Sequence, residues 1–589
     1  MKRRDFLGYA AVMSTAAYGC KTGEQATSGT YDLVIKNGRI LDGGGTPWFM
    51  ADIGVNSGRI TKIGRVDEEN ADRVIDVDGL FVSPGFIDVH AHSDTSMFDD
   101  PWGAYARPLR QGITTEINGN CGGSPVPPGR RRGGSEEGNN WSTFEEYFDQ
   151  LEQSGIGLNM ATLVGHGTVR RYVMGEDHGA PTQVQLDEMK GLVREAMQDG
   201  AVGLSTGLAY NPGVFAHTDE VVELAKVSAE YGGIYATHLR DFSSKVLAAA
   251  GLPGWSGEKG SVYQPVEEAI DIGRRSGVRV VQISHLSGNS PYSGDPELHN
   301  KVRDLIFAAR DEGIDVLADI LPSNWGAVSA WPARSVFAPA YFEDGRDALL
   351  EKLRDPEQRA ALKEDLLTKS PAEMGFENTT ARLLLIRAGL GDGVWIFPPV
   401  GGRFKNPEYE RKTLDVIAEM KGVDLFDALF DMLVEENGEI HITNKLMEDR
   451  SDQMVWPNAM PSTDGGGTAR PGESDFRVRP SGYSGFSDAL IWAREKKLVT
   501  IEDMVRKMTS MAAHLLRLPD RGLIKEGFRA DITVFDLDNV KSTCTYEDDA
   551  MPGYPLGIPY VIVNGVPVVD NDQLMTEALP GEVLRHSSA

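Results

Sequence analysis

The sequence predicts an α/β protein: a (β/α)8 TIM barrel joined to a small β-sandwich that the N- and C-terminal segments build together. Three observations predict it. Buried-type strands alternate with helical patterns over several hundred residues, short Gly-punctuated strands of one kind occur near both ends, and ligand-type residues recur where the buried strands finish. With 589 residues, 41% hydrophobic and 25% charged, the chain has an ordinary globular composition and length for two or three structural units. Its formal net charge of -28 argues against nucleic acid and anionic membrane surfaces as partners and leaves small molecules.

The first element is a targeting segment. Lys2-Arg3-Arg4-Asp5-Phe6-Leu7 resembles a twin-arginine export motif, and an apolar stretch follows at 10–17, so residues 1–20 read as a signal peptide. Ala17-Tyr18-Gly19-Cys20 resembles a bacterial lipobox, which would make Cys20 the lipidated first residue of a periplasmic or cell-envelope lipoprotein; the alternative is a plain cleaved signal. Residues 21–30 read as a flexible linker. Beyond the signal no apolar run is long enough to span a bilayer, so membrane contact is expected only through that lipid. The oligomeric state is not specified. Cysteines occur only at Cys20, Cys121 and Cys544, so no disulfide framework is expected and stability must come from packing.

Residues 31–83 alternate short strands with the turns Asn37-Gly38, Asn56-Ser57-Gly58 and Asp78-Gly79, the pattern of a small antiparallel sheet. Matching strands return at 527–536 and 559–565, so 516–575 reads as the other part of the β-sandwich. Between them, 84–515 reads as the barrel. Its buried strands are 160–166, 201–205, 233–238, 278–285 and 314–320, separated by helical patterns at 182–199, 218–231 and 266–276. An excursion over about 323–439, rich in aromatics and prolines and carrying a charged helical segment at 344–369, reads equally as a lid over the site or a surface decoration. No P-loop and no dinucleotide fingerprint occur.

The chemistry is concentrated at strand ends. In Gly85-Phe86-Ile87-Asp88-Val89-His90-Ala91-His92 two imidazoles stand two positions apart, so on a strand both point to one side and can grip one metal ion. His238 and His285 end two further strands. Cys121 lies in the Gly loop 118–124 after the strand-like 112–117, where a lone cysteine is more often an inert buried thiol. Histidine nitrogen and cysteine thiolate are zinc ligands, and a catalytic site needs three of them with one position open. Asp464, in Ser462-Thr463-Asp464-Gly465-Gly466-Gly467, can serve as acid/base beside a metal-activated water or simply form an Asp-Gly turn.

Taken in order, His90-Ala91-His92, Gly119-Asn120-Cys121-Gly122, Gly203-Leu204-Ser205-Thr206-Gly207-Leu208-Ala209-Tyr210, Thr237-His238-Leu239-Arg240, Ser284-His285 and Thr463-Asp464-Gly465 resemble the N-acyl-D-amino-acid deacylase (D-aminoacylase) family of the amidohydrolase superfamily. The resemblance runs over about 31–570. It implies a metal-dependent hydrolase in which Cys121, His238 and His285 hold one zinc tightly, His90 and His92 form a weaker or optional second site, and Asp464 is the acid/base. The implied reaction is hydrolysis of a small-molecule linear amide, N-acyl-D-amino acids being the leading substrates. Alternatives are a D-residue-containing dipeptide, a cyclic amide, or a zinc-binding surface lipoprotein without turnover; the complete ligand set with Asp464 argues against the last.

The resemblance thins at substrate recognition. Members that cleave N-acyl-D-amino acids usually hold the substrate carboxylate with a lysine two residues after the second zinc histidine, a Tyr-Pro-Tyr and an arginine in His-Pro-Arg. Here Ser287, Leu321-Pro322-Ser323 and Arg479-Pro480-Ser481 stand at the matching places. Ser287, with Arg477 or Arg479 as a shifted cation, is the candidate substrate contact, against a reading of both arginines as exposed loop charges. Of the other histidines, His166 is expected to cap a strand near the site, and His178, His217, His299, His441 and His514 to be surface or helix residues. Arg130-Arg131-Arg132 reads as a solvated turn and Cys544 as a thiol without function.

Overall fold

The computed structural model describes residues 31–586 apart from internal stretches, the longest being 128–140, 241–262, 287–295, 323–335, 370–382, 467–479 and 544–552. The targeting segment with Cys20, the linker, Arg130 to Arg132, His178, Ser287, Arg477, Arg479 and Cys544 lie outside the described residues. No helix among the described residues is long and apolar enough to cross a membrane.

Strands from both ends of the chain form a nine-stranded sheet. They meet at Phe81–Pro84, which pairs parallel with Leu33–Ile40 and antiparallel with Ile532–Phe535. One apolar cluster, including Leu33, Ile35, Ile53, Val55, Val82, Ile532, Val534 and Ile562, covers the junction. The turn residues act as their types require: Asn37, Ser57 and Asp78 hold left-handed backbone at φ 60°, 51° and 45°, where Asn and Asp cost least after glycine.

From Pro84 the chain passes directly into parallel strands. Phe86–Asp88, Ile113–Asn118 and Asn159–Thr162 form a three-stranded sheet. Val164–Gly165, Gly203–Gly207, Ile234–His238, Val280–Ile283, Asp315–Ile320 and Ala459–Pro461 form a six-stranded one. Ala91–His92 pairs parallel with Gly465–Gly466. Helices Gln183–Asp199, Thr218–Glu230 and Tyr263–Ser276 fall between successive strands and turn buried faces to them. The first starts at a capping box, Thr182 and Gln185 bonding each other's backbone N–H, and stops at Gly200 in left-handed conformation. Ile87, Val89, Ile117, Leu163, Ile234, Val280, Leu317 and Met460, from these strands and their ends, pack together.

Three local expectations are corrected. The strand read at 160–166 stops at Gly165, because His166 opens the helix His166–Met174; the ring is buried against Glu220, Nε2 to Oε1 2.8 Å, rather than capping a strand. The charged segment 344–369 is two helices, Arg346–Arg354 and Pro356–Thr368. Pro356 cannot continue a helix but suits the first position of a new one, and Asp355 caps it by accepting from Glu357 N and Gln358 N. His441 is neither on the surface nor helical: it is 8% exposed in the strand His441–Asn444, paired antiparallel with Val394–Phe397. These two strands belong to a separate core that fills the excursion and runs past its expected end at 439, where Leu349, Leu353, Leu366, Ile417, Phe426, Leu429, Phe430 and Ile442 pack together.

Candidate metal centre

The ligand-type residues meet where the parallel strands end. His238 is the last residue of Ile234–His238, His285 lies two past Val280–Ile283, Cys121 follows Ile113–Asn118, and His90 and His92 close the first strand run. Cys121 Sγ lies 3.6 Å from His238 Nδ1 and 3.3 Å from His285 Nε2, and those two nitrogens are 2.9 Å apart. A tetrahedral zinc with bonds of 2.0 to 2.3 Å would space its ligand atoms by about 3.3 to 3.6 Å. The chain therefore already holds a sulfur and two nitrogens at close to the spacing such an ion demands. His90 Nε2 is 3.4 Å from the same sulfur. Asp464 Oδ1 lies 3.0 Å from His92 Nε2 and 3.6 Å from His90 Nε2. Ligand atoms of His90, His92 and Cys121, of Cys121, His238 and His285, and of His90, His285 and Asp464 each fall within 4.8 Å of one another.

The backbone is bent to achieve this. Cys121, His285 and Asp464 hold φ of 53°, 36° and 48°, a left-handed region that ordinary L-residues avoid and that costs on the order of 1–3 kcal/mol each. Each turn is braced. Ser205 Oγ donates to Gly119 O at 2.5 Å and accepts from Gly122 N at 3.1 Å, bracketing Cys121 from both sides. A Cβ at Gly119 would lie 2.1 Å from Leu163 O, so the loop can seat itself there only with glycine. His285 N donates to Asp319 Oδ1 at 2.8 Å. The turn carrying Asp464 is tied to the first strand: Asp464 N donates to His90 O at 2.9 Å, and Thr463 bonds Asp88 through both its N, at 3.2 Å, and its hydroxyl.

Electrostatics follow from burial and proximity. Burial alone would push the Cys121 thiol up, but His90, His285 and His238 outweigh it and hold the thiol well below its usual range, which favours the thiolate. Burial would lower His90, yet Asp319 and Cys121 carry it well above its usual value; His92 is carried likewise to about 10 by Asp464 and Cys121. His238 is pushed down to about 4 by burial and by neighbouring His285. A thiolate beside a neutral imidazole is the donor chemistry zinc takes. Deeper still, burial pushes Asp88 to about 7 and Glu116 to about 8.

The structure thus brings together Cys121, His238, His285, His90, His92 and Asp464, while Ser287, Arg477 and Arg479 are among the residues it does not describe. Sequence reasoning did not single out Asp319, Asp88 or Ser205 as parts of the site. Each is a polar residue at 0% exposure in or at the end of a buried strand, and a polar type next to apolar neighbours, Ile87, Leu204 and Ala318, was the available signal.

Comparison with known proteins agrees with this geometry. The Amidohydrolase family matches residues 73–569. D-aminoacylase of Alcaligenes xylosoxydans xylosoxydans is 29% identical over 573 residues, covering 96% of this chain and 100% of that one. N-acyl-D-glutamate deacylase of the same organism is 29% identical over 567 residues, covering 95% and 97%. Among solved structures, N-acyl-D-glutamate deacylase from Bordetella bronchiseptica, complexed with zinc and a phosphonate inhibitor that mimics the reaction's tetrahedral intermediate, superposes with a TM-score of 0.69 at 27% identity, covering 94% of this chain and 100% of that one. Matched over most of its length, with metal-ligand residues gathered at its strand ends, the chain belongs to the Amidohydrolase family.

Proposed function

We propose that this protein is a zinc-dependent amidohydrolase that deacylates N-acyl-D-amino acids, releasing a carboxylate and a D-amino acid. The observation that carries the proposal is the convergence of Cys121, His238 and His285 from three separate strand ends, with Asp464 beside His90 and His92 at the same place. Similarity to D-amino-acid deacylases over nearly the whole chain supports the substrate class. On this reading Cys121, His238 and His285 hold the main ion, and His90 and His92 with the shared Cys121 form a weaker second position. Zinc bound there supplies Lewis acidity, bringing the pKa of a water toward neutrality and stabilising charge on the acyl oxygen. Asp464 accepts a proton from the attacking water and returns it to the departing nitrogen. Asp88, through Thr463, keeps that carboxylate in place.

We read the parallel strands as a (β/α)8 barrel. The sheets of three and six strands share the run 159–165, which makes eight, and the pairing of Gly465–Gly466 with Ala91–His92 supports closure of the last strand on the first. The barrel then occupies 84–515 with 323–439 inserted, and 31–83 with 516–575 make the smaller β unit. Export by the twin-arginine route with a lipid on Cys20 completes the proposal; the intact mass of the mature N-terminus tests it, an unmodified residue there overturning the anchor.

The activity is tested by measuring amine released from N-acyl-D-amino acids, their L-enantiomers, D-residue dipeptides and cyclic amides, with zinc analysis of the same sample. Turnover confined to L or cyclic amides would overturn the substrate class. Asp464→Asn is expected to lower kcat by about 10²–10⁴ while zinc at the main position is retained. Turnover near wild type would remove Asp464 from the chemistry.

A further inference from the structure

Asp319, near the end of the strand Asp315–Ile320, is fully buried and faces hydrogen-bond partners on several separate pieces of chain. Oδ2 lies 3.3 Å from His90 Nδ1 and accepts from Gln282 Nε2 at 2.8 Å. Oδ1 accepts from His285 N at 2.8 Å and from Ser462 Oγ at 2.7 Å. Two of these partners can only donate. His285 N is a backbone amide, and the Gln282 amide is oriented by a second bond from Nε2 to Val89 O at 3.1 Å, a carbonyl that can only accept. Both oxygens of residue 319 must therefore accept, which a carboxylate does and an amide cannot. With an acceptor at Oδ2, His90 Nδ1 carries a proton there, which leaves Nε2, 3.4 Å from Cys121 Sγ and 3.6 Å from the Asp464 carboxylate, as the nitrogen that can give up its proton and offer a lone pair to an ion.

We propose that Asp319 is a positioning residue of the metal centre, keeping a proton on His90 Nδ1 so that Nε2, on the side of Cys121 and Asp464, is the nitrogen an ion would take, while anchoring the left-handed turn of His285. This rests on the reading that these residues hold zinc. In Asp319→Asn the backbone N–H of His285 cannot rotate away, so the amide oxygen must stay with it and the NH2 must turn toward Gln282 and His90. His90 Nδ1 then has to accept, and its proton moves to Nε2, aimed at the place an ion would take.

The test is a zinc titration of full-length protein against a competing chelator. Asp319→Asn should weaken the lower-affinity zinc phase by about 10–100-fold and keep the tighter phase, a split that a general loss of stability would not produce. Ser462→Ala removes one hydrogen bond from the same carboxylate without touching its contacts to His90 Nδ1 and the His285 backbone N–H, and should keep both phases. Unchanged zinc binding in Asp319→Asn overturns the inference, as does an equal loss in Ser462→Ala, an equal weakening of both phases in Asp319→Asn, or a wild type with a single phase. The readout separates it from the activity: a protein that loses the zinc phase as described yet releases no amine from N-acyl-D-amino acids keeps the role of Asp319 and loses the proposed substrate. Wild-type zinc binding in an active Asp319→Asn protein does the reverse.

Discussion

At the ends of the parallel strands, Asp88, His90, His285, Asp319 and Asp464 are buried together, and Cys121, His285 and Asp464 hold left-handed backbone. In the excursion the packed residues are Leu349, Leu353, Phe426, Leu429, Phe430 and their neighbours, while charges stay outside as pairs such as Arg359 with Asp427 and Asp431 at 2.9 and 2.8 Å. The first region spends stability to hold reactive groups where water would not leave them. The second gains it from apolar burial and ordinary caps, like that of Asp424 on Leu425–Glu435. The comparison teaches that in this molecule chemistry and stability are carried by different residues and should be separable by mutation.

The sharpest way to break that separation is Cys121→Ser. Elemental analysis should find zinc reduced to the level of a blank and turnover lost with it, while the metal-free protein melts where the wild type does; retained zinc would remove the ligand role. Leu429→Ala works from the other side. A fully buried leucine in the excursion core should cost about 2–5 kcal/mol in denaturant unfolding, with zinc content and kcat per folded molecule unchanged. A parallel loss of kcat would show that the two regions are mechanically one.

A third measurement sharpens the contrast away from both regions. Lys507 is 0% exposed, bonded to the carbonyls of Trp456 and Ala459, and burial pushes it down to about 8 from 10.5. Between those values the unfolded chain binds the extra proton, so stability should rise with pH across that window, and Lys507→Met should remove the rise seen in wild-type unfolding curves. The smallest expected effect is that of Thr182→Ala, which takes away the capping box of Gln183–Asp199. About 1 kcal/mol of stability should go, with zinc binding untouched.

Much of the site was legible before any coordinates. Apolar runs ending in His90, His92, His238 and His285 announced strands that deliver imidazoles, and the helix over 182–199 was readable to within a residue from its Thr cap and its periodicity. Residue type and spacing are local properties, and they were enough. The break at Asp355-Pro356 was equally local and could have been read, since a proline after a capping residue starts a helix. His441 could not: whether a histidine is buried depends on the distant strand Val394–Phe397 that pairs with it.

By itself, then, the sequence determined which groups could bind a metal, on which strands and loops they stand, and that the two ends of the chain carry strands of one kind. Only the tertiary structure decided that Cys121, His238 and His285 approach within hydrogen-bond distance, that Asp319 reaches back to His90 across 229 positions, and that Ser205 and Asp88 hold the strained turns. The reason is physical. A side chain's chemistry is written in one residue, but its tautomer, charge and direction are set by donors and acceptors that arrive from elsewhere in the chain once water has been excluded.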